Sequence, residues 1–301
     1  MSLRTTLPVT ALALLAPLLA ACGDQAESAV PRSAACKQPK PGTTVQTVVS
    51  GGQRRQYRLH VPAGRPRALP LVLAFHGRGE SAQRLEKYSG MNKYPALVAY
   101  PDGTPTKGGA KGWQGAPYSS GTDDVRFTRD LIAQIKETAC VNTRRVYAVG
   151  KSNGGGFANL LACRLSSQLA AVAPVVGAYY DINGKCRPSR PVPILSFHGT
   201  ADRTTPYAGH KTRKLPHITR WATAWASRNG CDTTPRTFYN KHNVKGLRWS
   251  ACRANATIEH YKLIGGTHHW PGALTPSDPN GTKDPIRATP LIWRFLTKHH
   301  L

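Results

Sequence analysis

The sequence predicts an α/β fold in which a mostly parallel, twisted sheet is covered by helices on both faces. Two observations point to it. Five short runs of the 301-residue chain are continuously apolar, as strands buried on both faces must be. Helical patterns lie between them, and this alternation is typical of parallel sheets. The predicted strands are residues 69–75, 96–100, 146–149, 171–176 and 192–197.

Two β-rich runs precede the first of these strands. They cover residues 44–50 and 56–61 and are separated by Gly51 and Gly52. A glycine pair between two such runs predicts an N-terminal antiparallel hairpin.

Helices are predicted from capping residues and apolar spacing. Residues 123–139 place Ile132 and Ile135 on one side and begin with two aspartates, which the helix dipole favours. The last helix is predicted to begin with Thr289 as N-cap and Pro290 at its first position.

The N-terminus has the features of an export signal. Residues 1–21 contain Arg4 and a short apolar run, and small residues stand directly before Cys22. This pattern resembles the lipobox of bacterial lipoproteins, in which the cysteine is lipidated, although an ordinary cleaved signal remains the alternative. Residues 22–35 are then a flexible tether, and residues 36–301 form a single domain.

The cysteine count favours an exported protein. Beyond Cys22 the chain has an even number of cysteines, as a protein with disulfides in an oxidising compartment would. Cys231 and Cys252 bracket a loop-rich insertion and are the favoured pair. Two further pairs follow by remainder, and other pairings stay open: Cys163 with Cys186, and Cys36 with Cys140. Zinc-like C-x-x-C spacing is absent, so no metal site is expected. No cofactor is expected either.

The charge is strongly positive. Lys and Arg number 41 against 15 Asp and Glu, which gives a formal net charge of +26. Such a chain attracts polyanions, and acidic envelope polymers are possible partners. The basic residues are scattered without a nucleic-acid-binding motif, so no nucleic acid partner is expected. A non-catalytic envelope protein that binds acidic polymers is therefore one functional hypothesis.

The second hypothesis is nucleophilic catalysis at Ser152. The run Gly150-Lys151-Ser152-Asn153-Gly154 follows the predicted strand 146–149 and opens a helical segment, which is the context of a nucleophile turn. The turn is so tight that the residues two before and two after the serine must lack bulk. The alternative is that Ser152 only caps the helix.

A serine nucleophile needs a base and an acid that orients the base, and on this kind of sheet they follow in the order Ser, Asp, His. Asp202 lies just past the predicted strand 192–197 and is the candidate for this acid. The alternative is that Asp202 is only an aspartate in a surface turn. His268 lies in a turn-forming loop near the C-terminus. Its neighbour His269 is a rival, and spacing alone does not separate the two.

The reaction also needs backbone donors for the oxyanion. The N–H of Asn153 should supply one, and the N–H of Arg78, in the loop after the first apolar strand, should supply the other. His76 in that loop is interpreted as structural. Trp113 and Trp270 are candidate substrate-binding walls, with core packing as the alternative.

These motifs together resemble a known group. The chain is similar to the secreted esterase family of polyhydroxybutyrate depolymerases, feruloyl esterases and acetylxylan esterases, which have the α/β-hydrolase fold. The resemblance implies a serine carboxylic-ester hydrolase that forms an acyl-enzyme on a small or oligomeric ester, and it favours His268 over His269. It rests on the runs Tyr100-Pro101-Asp102-Gly103, Ser152-Asn153-Gly154-Gly155, His198-Gly199-Thr200-Ala201-Asp202 and His268-His269-Trp270-Pro271-Gly272.

The chain departs from the family pattern at three positions. Thr267 replaces a usual Gly, Lys151 replaces a common His, and Arg78 stands where a Cys is frequent. The two cations would add positive charge near the site, which predicts a preference for esters that carry a carboxylate. A lipase or a peptidase on the same fold remains an alternative within hydrolases.

Overall fold

The computed structural model describes residues 1–3, 39–64, 68–180, 186–278 and 284–301. The chain divides into two units, Met1–Ala35 and Cys36–Leu301, and every element below belongs to the second. The predicted signal beyond residue 3, the tether and Cys22 lie outside the described residues.

The strands of the described part form one large sheet and one small ribbon. Their bounds in chain order are β1 Gly42–Ser50, β2 Gln53–Val61, β3 Leu69–Phe75, β4 Leu97–Pro101, β5 Thr104–Pro105, β6 Lys111–Gly112, β7 Val141–Lys151, β8 Ala171–Val175, β9 Ile194–Gly199, β10 Arg236–Lys241, β11 Val244–Trp249 and β12 Ile258–Leu263.

The large sheet has the order β1-β2-β4-β3-β7-β8-β9-β12-β11-β10. Its six middle strands, β4 to β12 in that order, are parallel. An antiparallel hairpin closes each edge, β1–β2 on one side and β10–β11 on the other. The parallel sheet and the N-terminal hairpin confirm the predicted α/β-hydrolase architecture.

Helices cover both faces of the sheet. Their bounds are α1 Ala82–Ser89, α2 Asp124–Thr138, α3 Asn153–Arg164, α4 Ile218–Arg228 and α5 Ala288–Leu296. Alternate residues of a strand point to opposite faces. On β3, Leu71 and Leu73 accordingly pack in a core with α2, α3 and α4, whereas Val72 and Ala74 pack with α1 and α5.

The predicted helix at residues 123–139 ends one residue outside the observed α2 on each side. Asp123 is its N-cap, and the Asp123 carboxylate accepts a hydrogen bond from the N–H of Arg126. Asp124, the second aspartate, is buried and pairs with the Arg55 guanidinium at 3.0 Å. The helix therefore begins at Asp124, because the Asp123 side chain caps it and the buried charge of Asp124 is neutralised by Arg55.

Two local predictions were wrong. The segment between Cys231 and Cys252 is the hairpin β10–β11 rather than a loop-rich insertion; β10 is polar and mostly solvent-facing, so it has no apolar pattern to reveal it. The last helix begins at Ala288, and Thr289 does not cap it. The Thr289 hydroxyl instead accepts a hydrogen bond from the Trp270 indole and donates one to the Ser89 carbonyl.

Disulfides join residues that lie 23 and 21 positions apart in the sequence. The described residues contain Cys163–Cys186 and Cys231–Cys252. Cys140 is also disulfide-bonded, and Cys36, its predicted partner, lies outside the described residues. Disulfides of this kind indicate an oxidising compartment. Among the helices that the structure describes, none is long and apolar enough to cross a membrane.

One buried and one half-buried histidine make stability depend on pH. Burial first, and then nearby positive charges, lower the pKa of His260 to about 3 and that of His299 to about 4. The unfolded chain binds protons at these positions from pH of about 6.5 downwards, whereas the folded chain does not. Folding free energy is therefore lost as the pH falls below about 6.5.

We predict that the free energy of unfolding decreases from pH 7 to pH 4.5, and that His299→Gln makes this slope shallower. One such group contributes at most about 1.4 kcal/mol per pH unit. Urea unfolding at several pH values measures it, with His210→Gln at an exposed position as the matched control. An unchanged slope in His299→Gln would contradict the assignment.

Candidate active site

Ser152 occupies a strained turn between β7 and α3. Its backbone has φ 56° and ψ −120°, a conformation that non-glycine residues rarely adopt. Such strain costs about 1–3 kcal/mol and persists only where the surroundings enforce it. The N–H of Ser152 donates to the Val175 carbonyl at 2.9 Å, and the Ser152 carbonyl accepts from the N–H groups of Gly156 and Ala178. The peptide is thus held on both sides.

The glycines that flank the serine are required by close backbone contacts. A Cβ atom on Gly154 would lie 2.1 Å from the Phe75 carbonyl oxygen, at the end of β3. A Cβ atom on Gly150 would lie 2.3 Å from the carbonyl oxygen of Gly154. The helix can therefore approach the sheet closely only because both positions lack a side chain, as the sequence motif implied.

His268 and Asp202 form a hydrogen-bonded pair. Asp202 follows β9 and His268 follows β12, and these two strands are neighbours in the sheet. Nδ1 of His268 lies 2.8 Å from Oδ2 of Asp202. An ionised carboxylate only accepts hydrogen bonds, so Nδ1 carries the proton and Nε2 is left as the basic atom.

Asp202 is held by several donors that sequence reasoning missed. The N–H groups of Thr204 and Thr205 donate to Oδ1 at 2.8 Å each, and the Thr205 hydroxyl donates to Oδ2 at 2.8 Å. Nε2 of His198 lies 3.3 Å from Oδ2. An aspartate side chain often accepts hydrogen bonds from backbone N–H groups two or three residues later in a turn. This pattern could have predicted the contacts with Thr204 and Thr205.

Burial and hydrogen bonds act in opposite directions on this carboxyl. Burial by itself raises the pKa of Asp202, but the hydrogen bonds from His198 and His268 outweigh it, so the pKa lies well below its usual value. Asp202 therefore stays ionised over the physiological pH range and orients the imidazole of His268.

Ser152 and His268 line one cavity of about 460 Å³. Within the described residues no hydrogen bond joins the Ser152 hydroxyl to the imidazole. In substrate-free hydrolases this contact is often long and tightens when substrate binds. The structure thus brings the Ser152 hydroxyl, the His268 imidazole and the Asp202 carboxylate to the same edge of the sheet, where the parallel strands end.

His269 points elsewhere. Its Nε2 contacts the Asp284 carboxylate, and its Nδ1 lies 3.0 Å from the Thr267 hydroxyl. The N–H of Gly272 donates to the second carboxylate oxygen of Asp284 at 2.8 Å. His269 therefore ties the loop after β12 to residue 284 and does not line the cavity beside Ser152.

Both predicted oxyanion donors lie near Ser152: Asn153 follows it in the chain, and Arg78 lines the same cavity. Asn153 is the first residue of α3, where N–H groups have no intrahelical acceptor. Arg78 lines the cavity. On either side of it, the N–H of Gly77 donates to Glu80 and the N–H of Gly79 to the Lys111 carbonyl, which fixes the loop.

His76 braces the same loop. Its Nδ1 donates to the Gly77 carbonyl at 2.7 Å, and its Nε2 accepts from the N–H of Gly103 at 2.9 Å. The ring is buried, and these contacts require the neutral form with the proton on Nδ1. The structural interpretation of His76 agrees with this geometry.

Neither predicted substrate-binding tryptophan lines the cavity, and that expectation was wrong. Trp113 and Trp270 are 1% and 0% exposed. The Trp113 ring stacks on Phe157, and its indole N–H donates to the His76 carbonyl at 2.9 Å. Both tryptophans stand near site residues in the sequence, and this suggested that they line the substrate pocket. Their large rings instead fill the core beneath the loops.

The charge expectation is also corrected for Lys151. The Lys151 ammonium lies 2.8 Å from Oε1 of Glu80 and donates to the Ser277 carbonyl at 2.6 Å. Burial raises the pKa of Glu80, but Lys151 outweighs it and keeps that pKa below its usual value. Lys151 is therefore a neutralised internal cation. Arg78 is exposed, with its guanidinium 4.4 Å from the Tyr118 ring centre.

Comparisons with known proteins agree with this geometry. The chain is 35% identical over 268 residues to the putative esterase NocK of Nocardia uniformis subsp. tsuyamanensis, a match that covers 79% of this chain and 76% of that protein. The chain belongs to this esterase family. It is also 33% identical over 219 residues to feruloyl esterase B of Piromyces equi, covering 67% of this chain and 40% of the relative. No protein-family model matches the chain.

Solved structures give the fold of this esterase. The acetyl xylan esterase from Aspergillus awamori superposes with a TM-score of 0.54 at 16% identity, covering 84% of this chain and 98% of that one. At this identity the likeness establishes the α/β-hydrolase fold alone. Family and geometry together identify a serine ester hydrolase, and the depolymerase part of the resemblance stays a prediction.

We predict that Lys151→Met lowers the free energy of unfolding by about 3–5 kcal/mol, because it leaves the Glu80 carboxylate buried without its cation. The double variant Glu80→Gln/Lys151→Met removes both charges and should recover much of the loss. Urea unfolding of the three proteins at neutral pH measures this. Equal losses in the single and double variants would show that the ion pair is unimportant.

Proposed function

We propose that the esterase hydrolyses carboxylic esters through an acyl-enzyme on Ser152. The Ser152 hydroxyl oxygen attacks the ester carbonyl carbon, and its proton passes to Nε2 of His268. The negative charge then develops on the former carbonyl oxygen, and the N–H groups of Asn153 and Arg78 stabilise it. His268 returns the proton to the leaving alcohol, and the Ser152 ester remains.

Water completes the cycle by the same route. It attacks the acyl carbon, gives a proton to His268 and displaces Ser152, which recovers its proton as the carboxylic acid leaves. Asp202 keeps the imidazole in the required tautomer and stabilises it when it becomes cationic. The observation that carries the proposal is the 2.8 Å contact between His268 and Asp202 in a loop that faces Ser152.

The proposed substrates are small or oligomeric esters. The named relatives are a feruloyl esterase and a putative esterase, which supports esters of aromatic or short acids on sugar-like alcohols. A cavity of about 460 Å³ suits such a group. A lipase or peptidase activity on the same triad has no observation in its favour, and a purely binding role would leave the strained Ser152 turn without a purpose.

We also propose that the chain is an exported lipoprotein anchored through Cys22. The small residues before Cys22 and the disulfides of the domain support this. The net charge of +26 supports association with acidic polymers of the cell envelope.

We predict that His268→Ala lowers kcat on a short-chain p-nitrophenyl ester by about ten-thousand-fold or more, because the nucleophile loses its base. His269→Ala is the matched control: it breaks the contact with Asp284, so it should lose stability and keep most of the activity. Steady-state kinetics and thermal unfolding of both variants test this. Comparable losses of kcat in the two folded proteins would refute His268 as the base.

A further inference from the structure

A short segment connects the two loops that carry the predicted oxyanion donors. It consists of the two-residue strand β6, Lys111–Gly112, and of Trp113, which comes directly after it. It contacts both the loop after β3, which contains Arg78, and Asn153 at the start of α3. We call residues 111–113 the brace segment, and the two N–H donors together the oxyanion hole.

The backbone of Trp113 holds the side chain of Asn153. The Trp113 N–H donates to Oδ1 of Asn153 at 2.7 Å, and Nδ2 of Asn153 donates to the Trp113 carbonyl at 3.3 Å. Both residues are buried, and Asn153 is not among the described residues that line the cavity with Ser152. The Asn153 amide therefore binds backbone rather than substrate. This two-point contact fixes the start of α3, where the N–H of Asn153 is the proposed donor.

The brace segment also holds the loop that contains Arg78. The Trp113 indole N–H donates to the His76 carbonyl at 2.9 Å, and the Lys111 carbonyl accepts from the N–H of Gly79 at 2.8 Å. His76 and Gly79 lie on either side of Arg78 in the chain. The position of the Arg78 N–H therefore depends on the brace segment.

Packing fixes the Trp113 ring between the two elements that lead to the donors. The ring stacks on Phe157 with ring centres 5.3 Å apart and planes 10° apart, and it lies edge to face with Phe75 at 5.1 Å. Phe75 ends β3, and Phe157 lies about one turn after Asn153 on α3. A shift of either element would therefore have to move this ring.

We propose that Trp113 is a positioning residue of the oxyanion hole: it holds the N–H groups of Asn153 and Arg78 at the spacing that the transition state requires. Trp113 acts through these two residues and does not touch the substrate. The assignment rests on the proposed function, because the oxyanion forms only if Ser152 attacks an ester carbonyl. A change at Trp113 should weaken binding of the transition state and leave binding of the substrate unchanged.

Trp113→Phe tests this assignment by steady-state kinetics on a short-chain p-nitrophenyl ester. The variant keeps an aromatic ring and the backbone contacts with Asn153, but it removes the indole N–H that the His76 carbonyl accepts. We expect kcat to fall by about tenfold to a hundredfold with KM unchanged, because a misplaced donor stabilises the oxyanion less. Acylation and deacylation both pass through an oxyanion, so kcat reports on the hole whichever step is slower.

Trp249→Phe is the matched control. Trp249 is also fully buried, and its indole N–H donates to the Thr233 carbonyl at 3.2 Å. It pairs with Ile258 at the start of β12, whereas His268 follows the end of that strand, so Trp249 lies away from the catalytic edge. Both variants should lose stability, and only Trp113→Phe should lose kcat.

A transition-state analogue gives a second readout. With an alkyl trifluoromethyl ketone, the Ser152 oxygen bonds to the carbonyl carbon, the serine proton passes to Nε2 of His268, and the carbonyl oxygen becomes an oxyanion in the hole. The inhibition constant should rise in Trp113→Phe by the same factor as kcat falls. Asn153→Ala keeps the backbone N–H and removes only the two-point contact, so it should show the same pattern, and it decides the question if Trp113→Phe does not fold.

The outcomes separate this role of Trp113 from the esterase mechanism. Absence of Ser152-dependent turnover in the native chain would overturn both. Native turnover with an unchanged kcat in a folded Trp113→Phe or Asn153→Ala variant would overturn the positioning role alone. A raised KM at unchanged kcat, or an equal loss of kcat in Trp249→Phe, would do the same.

Discussion

The close contact of α3 with the ends of β3 and β7 is the constraint on which the site depends. Gly154 lies so close to the Phe75 carbonyl that a side chain could not fit there, and the chain leaves β7 through the positive φ of Ser152. The strain is sustained by hydrogen bonds to Val175 and Ala178, so the neighbouring β8 is as necessary as the turn itself. The Ser152 hydroxyl therefore lies at the edge where the parallel strands end. Asp202 and His268 follow directly after β9 and β12 and so lie at the same edge.

Several of the few carboxylates of this basic chain make internal ion pairs and hydrogen bonds. Glu80 neutralises Lys151, Asp124 neutralises Arg55, Asp284 holds His269 and Asp202 holds His268. Each of them fixes a loop or a side chain around the catalytic edge.

Sequence reasoning succeeded where a local pattern has one physical solution. Continuous apolar runs gave the parallel strands, and the glycines around Ser152 indicated the turn, because no other residue fits there. It failed where the outcome depends on packing. Trp113 and Trp270 lie next to site residues in sequence, but their rings fill the core. β10 has no apolar alternation, since both of its faces are largely open to solvent, and Thr205 supports Asp202 only through a turn that folding creates.

If Ser152 is an activated nucleophile, a reagent that reacts with such serines should trap it covalently. The domain is treated with a small fluorophosphonate, and the labelled position is located by peptide mass spectrometry beside the Ser152→Ala variant. We expect one adduct per chain, on the peptide that contains Ser152, with esterase activity lost in proportion to labelling and no adduct in the variant. A folded, disulfide-bonded protein that stays unlabelled, or that is labelled at another residue with loss of activity, would contradict it.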